Sequence, residues 1–336
     1  MRKDARLVDA LTVQPSCAVA TRDEWLAAGA SVRMFNDGRL VRVAWGLYCA
    51  PEIAADPPAL VRALTERCPA DAVLGGWTAA QLYGVRHAGP TMLSPRPQPV
   101  LVYLPRHEHK RPPGFHVLRV DIAPEDIETI DGTAVTSLAR TAYDMARFTR
   151  SLPDALGILD CFRWVGNPHP LDLDAIDALI ERNPRHRGNP RIRRALPIST
   201  DRSRSHAESV VRGRWVQQVQ VPASRILVNA TLSTDEGDFE LDLVDLTAGL
   251  AIEYDGPHHG ASTQRSIDST KDGAVAGAEL GMLRLTSVEY GLRPAPFVRL
   301  AERRRRQALA IRADRRAAEL VQAGRLVERP LRLYLD

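Results

Sequence analysis

The run FELDLVDLTAGLAIEYDGPHHG, residues 239–260, alternates apolar and acidic residues on both sides of a short break. Strand side chains alternate between two faces, so this period-two pattern predicts a β-hairpin rather than a helix. LTAG, Leu246 to Gly249, makes a four-residue loop, and pairing about its centre sets Asp242 opposite Glu253 and Glu240 opposite Asp255. All four carboxylates are then expected on one face, with Phe239, Leu241, Leu243, Leu250, Ile252 and Tyr254 on the other. Directly opposed side chains lie roughly 5 Å apart, where like charges are destabilising. The run contains no Lys or Arg, so a cation from elsewhere is expected. Carboxylate oxygens suit a hard divalent ion, Mg²⁺ or Mn²⁺, which can polarise a phosphoryl oxygen and lower the pKa of a bound water. The competing reading is a solvated polar face.

The remaining chain limits where such a hairpin can sit. Its 336 residues are enough for two or three domains, and the balance of apolar and charged residues is that of a globular protein, not a disordered or fibrous one. Lys+Arg number 45 against 41 Asp+Glu, and only Lys3, Lys110 and Lys271 are lysines, so the basic side is almost all arginine. Arginine favours forked contact with phosphate or guanine, although a GC-rich coding sequence gives the same bias. Cys17, Cys49, Cys68 and Cys161 are too far apart in sequence to suggest a zinc or redox pair and read as buried thiols. The amino terminus has no signal-peptide core and no apolar run approaches membrane-spanning length, so a cytoplasmic protein with no membrane partner is expected.

Along the chain the patterns divide. ARLVDALTV is amphipathic, and TRDEWLAAGA carries a capping box from Thr21 to Glu24. Ser31 then starts a short helix with Val32 and Phe35 inward, and RLVRV and GLYCA make two strands about Ala44-Trp45. Helix, turn, helix and ribbon over 1–56 is the pattern of a winged helix-turn-helix, in which Arg33 and Asn36 lie near base edges and Arg39 and Arg42 near phosphate. Residues 57–184 read as mixed α/β, 185–204 as an Arg/Pro/Gly-rich basic linker. From 205 to 336 the order is a helix bearing Glu208, three strands, a helix through Lys271, the strand GMLRLTS and a long Arg-rich final helix. That order is an α/β sandwich. The final helix's arginines suit either solvation or DNA contact.

Two families resemble these stretches. HAES, FELDLVDLTAGLAIEYDGPHH and DSTKDGAVAGAELGMLRLTS, from about residue 205 to 291, resemble the very-short-patch-repair-like endonucleases, a branch of the PD-(D/E)XK superfamily. The resemblance implies Glu208 as the helix acid, Asp242 as the central metal-binding acid, Glu253 as the second strand acid, and Asp255 with His258 in the EYDGxHH signature. Asp272 looks like the acid of the following helix. Asp255 stands where the superfamily pattern has lysine, which leaves His258 or Lys271 as substitutes, or a degenerate site. TRDEWLAAGAS, GRLVRVAWGLYCAP, VLGGWTAAQLYGV and DGTAVTSLARTAYDMAR, within residues 1 to about 165, are similar to the AbiEi-type antitoxins. That family implies DNA binding, transcriptional autoregulation and a cognate toxin protein as partner.

The expected fold is therefore α/β and multidomain: a winged helix-turn-helix, a mixed α/β middle region and a PD-(D/E)XK-like α/β sandwich. The expected activity is metal-dependent hydrolysis of DNA phosphodiesters, with Glu208, Asp242, Glu253 and His258 as the catalytic set. In the alternative the chain is a non-catalytic antitoxin or repressor whose nuclease fold serves only for binding.

Overall fold

The computed structural model describes residues 17–86, 88, 89, 92, 97–109, 111–255 and 262–329. The expected opening helix over ARLVDALTV lies outside these residues. The chain is mixed α/β and divides into two units, one of residues 1–148 with 167–186, the other of 149–166 with 187–336. These units do not coincide with the bounds drawn from the sequence.

The first unit begins with strand β1 (Ala20–Thr21) and helix α1 (Arg22–Ala27). The expected capping box is present: the Thr21 hydroxyl accepts the Glu24 N–H at 3.3 Å and Glu24 accepts the Thr21 N–H at 2.7 Å. Helix α2 (Val32–Asn36) and a hairpin of β2 (Val41–Ala44) and β3 (Leu47–Cys49) follow, with β1 added to β3. Their core is Ala20, Trp25, Ala30, Met34 and Leu40, with Phe35 packed against it. Val32, expected inward, is 49% exposed. The helix has only five residues, and it is Met34 and Phe35 that turn to the core, leaving its first residue in solvent.

Helices α3 (Pro51–Ala55) and α4 (Pro57–Thr65) each open on proline, whose missing N–H costs nothing in a first turn. Then come β4 (Val73–Gly75), α5 (Gly76–Leu82), β5 (Val100–Leu104), β6 (Phe115–Arg119), β7 (Ile127–Ile130), β8 (Thr133–Thr136) and α6 (Leu138–Phe148). The sheet order is β6-β5-β4-β8-β7, with β5–β6 and β4–β8 parallel. β7 and β8 turn through Asp131 and Gly132, both at positive φ, as a tight two-residue hairpin requires. Helix α7 (Leu152–Arg163) belongs to the second unit, and α8 (Leu173–Arg182) returns to the first.

In the second unit α9 (Asn189–Ala195) occupies the stretch expected to be a linker. Ile192 and Ala195 on it are fully buried, so this basic segment packs on one side despite its polar composition. Then follow α10 (His206–Arg214), β9 (Ile226–Thr234), β10 (Gly237–Asp245), β11 (Leu250–Asp255), α11 (Ser262–Gly277), β12 (Gly281–Thr286), α12 (Ser287–Tyr290), α13 (Pro294–Ala310), α14 (Ala313–Gln322) and β13 (Leu326–Val327). The sheet runs β12-β11-β10-β9-β13, with β11–β12 parallel and the other pairs antiparallel. On one face Val211 of α10, Trp215 directly after it, and Phe297 and Ala301 of α13 pack against Val228, Leu243 and Ile252. On the other, Val275 of α11 and Ala317 and Leu320 of α14 cover Ala230, Leu241, Val244 and Ala251.

The long final helix expected from the sequence is two helices, broken where Arg312 takes a positive φ of 59°. The hairpin loop packs into that break: a Cβ on Gly249, itself at φ 62°, would lie 2.0 Å from the Ala313 carbonyl oxygen. Among the described residues no helix is long and apolar enough to cross a membrane.

Candidate active site

The hairpin forms as its sequence dictates up to the third pair from its loop. Residues 246–249 are the turn, and the ladder pairs Asp245 with Leu250, Val244 with Ala251 and Leu243 with Ile252. The next step sets Asp242 against Glu253, and here the carboxylates replace the carbonyls as acceptors. Glu253 Oε1 accepts the Asp242 N–H at 3.1 Å, and Asp242 Oδ2 accepts the Tyr254 N–H at 2.9 Å. The two strands therefore part at the acids.

The neighbouring strand is broken at the same level. The β9–β10 ladder runs from 237↔234 to 241↔230 and from 243↔228 to 245↔226, with no step for Asp242 and Asn229. Asn229 has a φ of 46°, a left-handed conformation that asparagine tolerates better than most residues. On each strand the facing slips by one residue there. Leu241 and Val244, which differ in parity, pack in the same core, while Leu243 packs in the other. The expectation that Leu241 and Leu243 share a face is corrected by this break, as is the expectation of four acids in a row. Glu240 is instead held by Arg204, at 2.5 and 3.0 Å, and Asp255 by Arg284 at 3.1 Å.

Glu208 reaches the same place from the first turn of α10. Ser205 caps that helix, accepting the Glu208 N–H at 3.1 Å and donating its hydroxyl to Glu208 Oε1 at 2.8 Å. Glu208 Oε2 accepts the Arg204 N–H at 3.0 Å and the Asn229 amide at 3.3 Å. Lys271 comes from α11 and contacts Glu253 Oε2. Carboxylates from α10, β10 and β11 thus act on one another through Asp242, while Lys271 pairs with Glu253 and lies close enough to Asp242 to act on its charge. Burial raises all three carboxyl groups above their ordinary range. The Asp242 charge adds to the rise at Glu208 and Glu253, while Lys271 opposes it at Asp242 and Glu253 without cancelling it.

The cation demanded by the opposed acids is thus met in part by protein side chains. Lys271, one of the two substitutes named for the displaced superfamily lysine, is in the cluster. His258 lies outside the described residues. Asp272, the next residue of α11, turns to Arg284 at 2.7 Å, as Asp255 does, so both accessory acids form a second cluster around that guanidinium. Arg204, Asn229 and Arg284 are contributions that strand periodicity does not signal. Asp245, the remaining acid of the hairpin, is a structural anchor: fully buried, it accepts from Trp215 Nε1 at 3.0 Å, Arg305 Nε at 2.9 Å and the Thr247 hydroxyl at 2.5 Å.

The residues fit a hard divalent ion in donor type, since all three acids offer oxygen. Asp242 Oδ1 has no hydrogen-bond donor among the described residues. Lys271 competes for Glu253, and among the described residues no three His, Cys, Asp or Glu side chains are grouped closely enough to hold an ion in this arrangement.

The four amino-terminal candidates are on the surface of the first unit. Arg33 and Asn36 are exposed on α2. Arg39 forks onto Asp37 at 2.9–3.2 Å, and Arg33 lies 3.6 Å from the same carboxylate. Arg39 holds the Asp37 carboxyl below its usual range. Arg42 is exposed on β2, its Nε donating to the Ala44 carbonyl at 3.3 Å. Compared with protein-family models and with curated proteins, the chain matches none.

Proposed function

We propose that the second unit hydrolyses DNA phosphodiester bonds with a divalent cation held by Asp242 and Glu253, as its resemblance to the PD-(D/E)XK nucleases implies. One observation carries this reading: Glu208, Asp242 and Glu253 converge from separate elements into a largely buried cluster with a single lysine. Uncompensated buried acids are costly in a scaffold and recur where a site must bind or transfer charge. When bound, Mg²⁺ or Mn²⁺ supplies charge stabilisation at the phosphoryl oxygens and lowers the pKa of a water. Glu208, fixed by three donors and with its carboxyl raised toward neutrality, holds or accepts a proton near neutral pH. Lys271 offers positive charge to the negative charge that develops on the phosphate. In the first unit Arg33, Asn36, Arg39 and Arg42 hold the duplex.

The test is incubation of the full chain with supercoiled plasmid and Mg²⁺ or Mn²⁺. Wild type should nick the plasmid, and Glu253→Gln should retain the fold and lower the rate by about 10²–10³ or more. Cleavage that survives in both Asp242→Ala and Glu253→Gln would remove the hairpin as the active site.

A second reading has its own support. Lys271 occupies Glu253, and Asp242 and Glu253 each give an oxygen to a strand N–H. These contacts favour a non-catalytic DNA-binding regulator that keeps the acids as part of its scaffold. It predicts duplex affinity with no cleavage in either metal.

A further inference from the structure

A second cluster in the same unit has the opposite charge. A cleft of about 750 Å³ is lined by Arg150, Ser151, Arg191, Arg194, Gln217 and Gln218 among others, and no Asp or Glu is among its described lining residues. Four segments build it: the start of α7 with the residues just before it, helix α9 with Gly188, the π turn that follows α10, and Pro294 at the start of α13. Arg191 is fixed by donating to the Thr149 carbonyl at 2.6 Å. Arg150 and Arg194 are exposed, and among the described residues neither side chain has an ion pair or a hydrogen bond. Helix α10 widens into a π turn over Trp215–Val219, and both of its consecutive glutamines reach the cleft. Such turns recur at functional sites.

Three guanidinium groups around one cleft repel each other unless an anion joins them. Their forked donors suit phosphate oxygens, and the glutamine amides can donate to the same group. The volume exceeds what a lone phosphate needs and lies in the range of ligand clefts. Glu208 and Gln218 are ten residues apart along α10 and the π turn that continues it, a rise of up to about 15 Å. At about 3.4 Å per nucleotide of one strand, that is roughly four nucleotides.

We propose that the cleft of Arg150, Arg191 and Arg194 is a phosphate subsite that holds the nucleic-acid backbone about four nucleotides from the acid cluster. The assignment of the phosphate to nucleic acid rests on the proposed function. The cleft then sets where a strand lies relative to Glu208, Asp242 and Glu253, without touching the reacting bond.

Binding of a labelled 20-base-pair duplex by the full chain, measured by anisotropy in EDTA over a salt series, tests this. Arg150→Gln with Arg194→Gln should weaken binding about tenfold or more and lower the salt slope by about two. Arg303→Gln with Arg304→Gln, removing the same charge from α13, should do less. Equal weakening by both pairs, no weakening by the cleft pair, or no duplex binding by wild type would overturn the proposal. So would binding of inorganic phosphate or a mononucleotide that the cleft variant loses while its duplex affinity is unchanged. Plasmid nicking run alongside separates the two claims. A cleft variant with weakened binding, in a protein that never nicks, would sink the hydrolase and keep the subsite; nicking with unaltered affinity would do the reverse.

Discussion

Each unit of this protein buries a cluster of charges, and the two clusters are balanced differently. In the first unit Asp144, fully buried, accepts from Tyr103 at 2.5 Å, Arg140 at 2.6 Å and Arg147 at 2.5 Å. Arg140 also reaches Asp126 at 2.9 Å, and Arg182 joins Asp126 at 2.7 Å to Glu125 at 2.8 Å. Three arginines thus meet three carboxylates. In the second unit Lys271 pairs with Glu253 alone of Glu208, Asp242 and Glu253, and burial drives all three carboxyl groups upward. A matched network fixes α6 and α8 in place. An unmatched one costs stability, and under the proposed function it keeps acids for a cation or a proton.

The largest effect that bears on this contrast is the loss of an acid from each cluster. Asp144→Ala leaves Arg140 and Arg147 without their shared carboxylate, and urea denaturation should show a loss of about 3–5 kcal/mol. Asp242→Asn in metal-free buffer relieves repulsion, so it should leave stability unchanged or raise it by about 1 kcal/mol or less. Similar losses from both substitutions would erase the distinction.

Next in size is the pH dependence. The Glu208 carboxyl is pushed up to about 7 and that of Glu253 to about 8, against an ordinary value of 4.5. Between those limits the folded chain holds more protons than the unfolded one, so stability falls as pH rises. The contribution is fully present below about 4.5 and is lost as pH passes the raised values. Glu253→Gln removes one such group and mimics its protonated shape. The variant should match wild type near pH 5 and exceed it by about 1–2 kcal/mol at pH 8 in metal-free buffer, read from urea midpoints. A gap that narrows with rising pH would contradict the assigned direction.

The smallest effect concerns the surface of the first unit. Arg39→Gln should leave stability nearly unchanged, because its ion pair with Asp37 is exposed. If Arg39 touches phosphate, the salt slope of duplex binding should fall by about one. An unaltered slope would take the hairpin out of the DNA contact.

The parts of the fold that were legible in the sequence are those set by local rules. Period-two alternation and the LTAG loop fixed the hairpin turn and placed Asp242 opposite Glu253, and the Thr21 capping box marked the start of α1. The Asp131-Gly132 pair between β7 and β8 is an equally local hairpin signal. What the pattern could not reveal was decided by distant residues. Nothing in ILVNATL announces that Asn229 turns left-handed and breaks the β9–β10 ladder, because alternation continues in the letters across the break. The pairing of Glu240 with Arg204 and of Asp255 with Arg284 joins residues 36 and 29 positions apart. Lys271 reaches Glu253 only because α11 folds back over the sheet. The segment expected to be a linker forms α9, since two buried residues, Ile192 and Ala195, outweigh its polar composition.

If the second unit's acids are left unbalanced for a divalent cation, isothermal calorimetry with Mn²⁺ on the full chain should detect the ion bound at Asp242. Wild type should bind with heat that Asp242→Ala abolishes or weakens strongly, and saturating Mn²⁺ should raise its unfolding midpoint by mass action while leaving that of the variant nearly unchanged. Equal Mn²⁺ binding by wild type and Asp242→Ala, or none by either, would mean that these acids do not hold a divalent ion.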